Sequence, residues 1–201
     1  MKLVHLSPDE LDLNGELYRA DFDRQYSGSH GTLEYELNLK PIKAIQMEQS
    51  ETPILVSGFR RFYAAVQQGM TRLPILIYDA NKIDPFQLKV SSMDANDHTG
   101  LEIAAALRQS AWKLNLNINR LLNSSPNLRN HVDRKAIVAV AGLKQSVIRR
   151  IQREGIDVRK AAVLAQLDPP DRAAAIGFSN RPIRLSLSRL RAILVLARDI
   201  S

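Results

Sequence analysis

The chain contains no cysteine. That excludes a disulfide framework, thiolate nucleophiles and any metal site built on sulfur. A zinc site would have to use histidine and carboxylates, and the four histidines, His5, His30, His98 and His131, stand at no metal-ligand spacing. Aromatic residues make up 5% of the sequence, so the core must be built mostly from aliphatic side chains. No apolar run reaches the roughly 18 residues of a membrane span, and the N-terminus has no signal-peptide core. A cytoplasmic location is the default expectation. A Walker-type glycine loop and a Ser-His-Asp constellation are both missing, and acids such as Glu34 and Glu36 have nothing converging on them.

What is present is a globular composition, 45% hydrophobic and 24% charged. A chain of 201 residues can form one large domain or two small ones. The charge is unevenly spread. Residues 1–100 hold 10 Lys and Arg against 14 Asp and Glu, whereas 101–201 hold 18 against 7, for nets of −4 and +11. A mildly acidic front and a strongly basic back suggest two modules, the second suited to a polyanion such as nucleic acid.

The stretch from Pro53 to Tyr78 reads as strand, tight turn, helix, turn, strand. Ile54, Leu55 and Val56 form a short apolar run, Ser57-Gly58 breaks it, and Phe62, Ala65 and Val66 recur at helical spacing. Gly69 fits a helix C-terminus, and Pro74–Tyr78 makes a second buried strand. Arg60 and Arg61 fall in the first turn, at the positive end of the helix dipole. Surface cations there cost about 0.3–1 kcal/mol each. Two of them after a glycine favour an anion site, where backbone N–H groups and guanidinium forks converge on one phosphate or carboxylate.

Elsewhere in the front half, Lys2–Leu6 predicts a strand stopped by Ser7-Pro8-Asp9. Ser27–Gly31 is a loop, and Lys40-Pro41 leads into a strand through Ala44, Ile45 and Met47. Phe86–Val90 is of undecided type. The back half reads as short helices. Thr99 with Glu102 fits a capping box, and Ala104, Leu107, Ala111 and Leu114 follow on one face. Trp112 is assigned to the core. A second helix holds Leu121 and Leu122. Val132, Ala136, Ile137 and Val140 give a third, with Gly142 after it and Asn127, Arg129 and Asn130 near its start. A fourth holds Val147, Ile148 and Ile151, and a fifth is capped by Asp157. Further helices open at Asp168-Pro169-Pro170 and at Ser188. Tight polar turns between short helices suit a helix-turn-helix bundle. Arg149, Arg150 and Arg153 lie on one side of the fourth helix. Asn127, Arg129, Asn130, Arg134 and Lys135 surround the start of the third, and recognition helices read bases from their N-terminal residues. These eight are the candidate DNA contacts.

The segment VSGFRRFYAAVQQGMTRLPILIYD resembles the central motif of the ParB family of partition proteins: a strand ending in Gly-x-Arg-Arg, a helix with Ala-Ala, a glycine, and Leu-Pro before the next strand. Lys40-Pro41-Ile42 resembles the family's Gln-Pro-Ile. Glu102-Ile103-Ala104 and Gly155–Leu167 resemble its helical half. The likeness covers most of 42–167 and is specific over Pro53–Tyr78. It implies an α+β N-terminal domain, ParB/sulfiredoxin-like, over residues 1–95, followed by an all-α helix-turn-helix domain over 96–201. It also implies CTP with Mg²⁺ as cofactor. Gly58, Phe59 through its backbone, Arg60 and Arg61 would hold the triphosphate, and Asn96 would be a further contact. The family's Glu-Asn-x-x-Arg is Ala95-Asn96-Asp97-His98-Thr99 in this chain, so Asn96 alone is kept, and the usual glutamate after Gly58 is Phe59. Alanine supplies no hard oxygen for Mg²⁺, and Thr99 suits helix capping rather than a phosphate fork. No cysteine means no sulfiredoxin chemistry.

The function so implied is DNA binding in plasmid or chromosome partition. Double-stranded DNA, a second copy and a ParA-type ATPase are the implied partners, with no membrane and a nucleoid-associated cytoplasmic location. Two alternatives stay open. One is a transcriptional regulator of the same architecture, and the other is a ParB-like nuclease or NTPase using the same anion pocket. The long C-terminal dimerisation segment typical of the family does not follow Arg198 in this sequence, and Leu185–Ile200 reads as the start of more sequence.

Overall fold

The computed structural model describes residues 1–13, 33–93, 98–178, 186, 188–190 and 192. Asn96 and Ala95 lie outside these residues, as do Ser27–Gly31 and most of the helix expected after Ser188. The chain divides into two compact units, Met1–Ser92 and Met93–Ser201.

Unit 1 is built on a four-stranded sheet of order β1-β4-β2-β3, with β1 Lys2–Leu6, β2 Ile42–Gln46, β3 Ile54–Ser57 and β4 Leu73–Asp79. β1 and β3 run antiparallel to β4 and β2, and β2 is parallel to β4. A parallel pair needs a crossover between its strands. Here β3 and helix α2, Phe59–Gln67, lie between β2 and β4 in the chain.

Alternation along β2 sends side chains to both faces. Ile42 and Ala44 join Leu55, Leu73 and Ile75 beneath Phe59, Phe62 and Ala65 of α2 and Leu37 of α1, which spans Leu33–Leu39. Ile45 and Val56 turn the other way, onto Leu88 of α3, Pro85–Ser91. The sheet is therefore covered by helices on both faces. The undecided Phe86–Val90 is helical because Asp84 caps it, accepting from Phe86 N at 2.7 Å, and Pro85 occupies the first turn, where its missing N–H costs nothing. Edge strand β3 is covered by Asp12, whose N–H donates to Pro53 O and whose carbonyl accepts from Leu55 N, both at 2.9 Å.

The described residues of unit 2 form helices only: α4 Gly100–Leu114, α5 Ile118–Ser124, α6 Arg134–Ala141, α7 Gln145–Arg153, α8 Val158–Leu164 and α9 Pro169–Phe178. None of the described helices is long and apolar enough to cross a membrane. α4 is the central element, packed against α5, α6 and α7. Its capping box forms as the sequence suggests: Thr99 Oγ1 accepts from Glu102 N at 3.3 Å, and Glu102 Oε2 accepts from Thr99 N at 2.7 Å. Ile103, Leu107, Leu121, Leu122, Ile137, Val140, Ile148 and Ile151 are fully buried.

Two expectations are corrected. Trp112 is 70% exposed. Ala104, Leu107 and Ala111 set the buried face of α4, and one residue further round the helix is a rotation of about 100°, which carries Trp112 off that face. Its ring instead lies under Lys113, with Nζ 5.1 Å from the centroid. The third helix also starts later than expected. Ser125 O accepts from both Leu128 N and Arg129 N, folding the chain into turns, and α6 begins only at Arg134. Asn127, Arg129 and Asn130 therefore occupy a turn rather than a helix start. Val132 is 84% exposed instead of packed.

Candidate functional site

In unit 1 the strand-to-helix turn is made by Gly58, which adopts φ 96°, ψ 21° as the N-cap of α2. The left-handed conformation favours glycine, and so does the space: a Cβ would stand 3.2 Å from Ile42 Cα. The turn places the helix tip hard against the start of β2. Gly58 brings no side chain of its own to cap the helix, and no acid lies in its first turn. The first N–H groups of any helix lack an intrahelical acceptor, so this tip is electropositive by construction.

Phe59 is buried, so only its backbone can meet a ligand. Arg60 and Arg61 are half-buried. The Arg61 guanidinium folds back over the turn, with Nη1 buried and Nη2 3.4 Å from the position a Gly58 Cβ would take. A further cation comes from β2. Lys43 is the cross-strand partner of Ser57, and the β2–β3 register shifts between Lys43 and Ala44. Such irregularities re-aim side chains. Lys43 Nζ donates to Ser92 Oγ at 3.1 Å. Burial, then the Arg61 charge, hold its ammonium below the usual lysine range.

In unit 2, α6 and α7 are joined by Gly142-Leu143-Lys144, with Leu143 buried. α7 buries Ile148 and Ile151 and exposes Ser146, Arg149 and Arg153, with Arg150 half-buried beside them. The exposed residues follow the helical period, which makes one polar, basic stripe. Lys144 is the N-cap and makes no capping bond, and no acid lies in the first turn of α7. Ahead of α6, Arg134 Nη1 donates to Arg129 O and Nη2 to Asn123 Oδ1, both at 2.7 Å. Asp133 receives Arg159 Nε at 2.5 Å, and His131 Nδ1 accepts from Asp133 N at 2.9 Å.

No protein-family model matches the chain, and no curated protein does either. Solved structures do match. The C-terminally truncated chromosome-partitioning protein ParB from Caulobacter crescentus, complexed to the centromeric parS site, aligns over 95% of this chain and 98% of its own, with a TM-score of 0.54 and 17% identity. The fold is ParB-like. A second structure of the truncated Caulobacter crescentus protein, complexed with CTP-gamma-S, covers 90% of this chain and 100% of its own at 16% identity, with a TM-score of 0.34, too slight to carry an argument.

Within this ParB-like fold, Gly58, Phe59, Arg60 and Arg61 share one turn, as expected, and Lys43 joins them unannounced. The signal for Lys43 was a lone charge in the otherwise apolar start of β2, Ile42-Lys43-Ala44-Ile45. Thr99 is engaged in capping α4. The candidate DNA contacts of unit 2 fall into three groups: Arg149, Arg150 and Arg153 on α7, Arg134 and Lys135 in the first turn of α6, and Asn127, Arg129 and Asn130 in the preceding turn. Of these, Arg134 has a structural task, tying the turn to the end of α5. Asn127 Nδ2 makes a long contact of 3.5 Å with Met93 O.

Proposed function

We propose that the chain is a DNA-binding ParB-like protein acting in plasmid or chromosome partition, with a nucleoside triphosphate, CTP, taken at the Gly58–Arg61 turn. The observation that carries the DNA reading is α7. A helix reached through a three-residue turn buries one face on α4 and presents Ser146, Arg149 and Arg153 on the other. That arrangement suits the second helix of a helix-turn-helix unit, with arginines on phosphates and N-terminal residues against base edges. The likeness to a protein solved on its parS site adds support at the level of fold. The turn before α6, with Arg129 and Asn130 exposed, and the exposed Lys135 in the first turn of α6 would flank the duplex.

For the nucleotide, the glycine-started α2 tip with no acid in its first turn, the close backbone approach at Gly58 and the nearness of Arg61 to Lys43 suit phosphate oxygens. Mg²⁺ is another matter. It takes one or two carboxylates together with substrate phosphates; among the described residues no three His, Cys, Asp or Glu cluster to hold an ion without them, and no step of the proposed function is routed through the ion. A second copy and a ParA-type ATPase are the partners that the resemblance adds.

The test is fluorescence anisotropy on duplex DNA with and without CTP. The pair Arg149→Ala and Arg153→Ala should weaken binding by about 100-fold or more while the thermal midpoint holds, at roughly 1.5–3 kcal/mol per charge-assisted contact. Unchanged affinity in that folded variant would reject α7 as the DNA-binding element.

A further inference from the structure

Lys43 is the only charged residue of β2, and its ammonium is half-buried with a neutral hydroxyl, Ser92 Oγ, as its acceptor at 3.1 Å. Among the described residues no carboxylate lies within ion-pairing distance of it. A partly desolvated ammonium ordinarily acquires a counter-charge. Lys43 instead has a second cation nearby. It faces Ser57 across the ladder, one residue before Gly58, and the Arg61 guanidinium lies over Gly58, 3.4 Å from where its Cβ would be. Like charges in a half-buried space raise each other's energy, and an anion beside Lys43 supplies the counter-charge that Ser92 does not. The lysine also has the means to move. Its ammonium is a compact charge on a flexible four-carbon stem, whereas the guanidinium fork is fixed by its plane.

We infer that Lys43 is a third cationic contact of the Gly58–Arg61 anion site, resting against Ser92 in the free chain and turning onto the phosphates of a bound nucleoside triphosphate. This rests on the nucleotide reading of that turn. Ser92 serves as the resting place: its Oγ holds the ammonium, and binding exchanges that neutral acceptor for a charged one. The exchange strengthens the contact, because opposite charges add a Coulomb attraction that a neutral hydroxyl cannot supply.

Calorimetric titration of the full chain with CTP, and separately with inorganic tripolyphosphate, tests the assignment. Lys43→Met should weaken both by about tenfold or more, the loss of one charge-assisted contact to phosphate. Lys43→Arg should recover most of that loss, which a merely structural role would not allow. Ser92→Ala should bind as tightly as the unaltered chain or more tightly, since it removes only the competing acceptor. If Lys43→Met does not fold, Lys43→Gln carries the same comparison. Should Lys43→Met bind CTP normally while Arg61→Ala abolishes binding, Lys43 is no contact and the nucleotide reading stands. Ser92→Ala weakening both ligands as much as Lys43→Met would overturn the resting role, with Lys43 merely propped by Ser92. No binding by the unaltered chain would overturn this assignment and the nucleotide reading together.

Discussion

Lys43 sits in the sheet at a cost that the free chain bears. Its ammonium is displaced downward from the ordinary lysine value of 10.5, first by burial and then by Arg61. A lowered folded-state pKa means that the unfolded chain holds the proton more tightly. Between the folded value and 10.5 the unfolded state binds more protons, so stability climbs with pH through that window. Below it the penalty is fully present. Lys43→Met removes the charge while keeping the stem, so it should be the more stable chain at pH 7. Its advantage should then shrink as pH rises toward 10.5. Denaturant unfolding of both chains from pH 7 to pH 10 reads this directly. An advantage that stays flat or grows with pH would mean that Lys43 is not held in the disfavoured charged form. Gly58 shows the same priority of site over stability, since its left-handed backbone puts two arginines on the wrong end of a helix dipole.

At the scale of the element, α4 shows how a helix start becomes fixed. Thr99 and Glu102 close a capping box, and Gly100, directly after Thr99, lets the helix tip touch α8. A Cβ at Gly100 would lie 2.6 Å from Val158 Cγ1 and 2.9 Å from Val158 Cβ. Valine is stiff at χ1 and this one is buried, so it cannot swing away. Gly100→Ala should therefore cost about 1–3 kcal/mol, although alanine is the better helix former. Adding Val158→Ala should recover part of that loss, as a coupled pair does in a double-mutant cycle. Strict additivity in urea unfolding would contradict the contact. Much of α4 and α2 was legible in the sequence because caps, glycines and helical spacing are short-range signals. α1 was not, because seven residues with Leu33 and Leu37 one turn apart give too short a period to separate from a loop. Trp112 was misassigned for a different reason. Size and hydrophobicity argued for the core, whereas helical phase decided against it. Lys43 was missed because its meaning depends on Arg61, which only the β2–β3 pairing brings near.

On the scale of the whole chain, the dominant feature is the opposition of a front half at −4 and a back half at +11. Net charge governs association with a polyanion rather than the fold. If the back half meets duplex DNA through arginine–phosphate contacts, affinity must fall with salt, because each neutralised phosphate releases counterions. The slope of log K against log salt then counts contacts, at about 0.9 per phosphate. Arg149→Ala and Arg153→Ala should each flatten it by about that amount, since both side chains are exposed on one stripe of α7. Arg134→Ala should behave differently. Its two Nη atoms serve Arg129 O and Asn123 Oδ1, so its loss should lower the unfolding midpoint and leave the slope within error. Binding isotherms between 50 and 300 mM salt separate the two classes of arginine. A slope flattened as much by Arg134→Ala as by Arg149→Ala would place the phosphate contacts at the start of α6 and remove α7 from the centre of the interface.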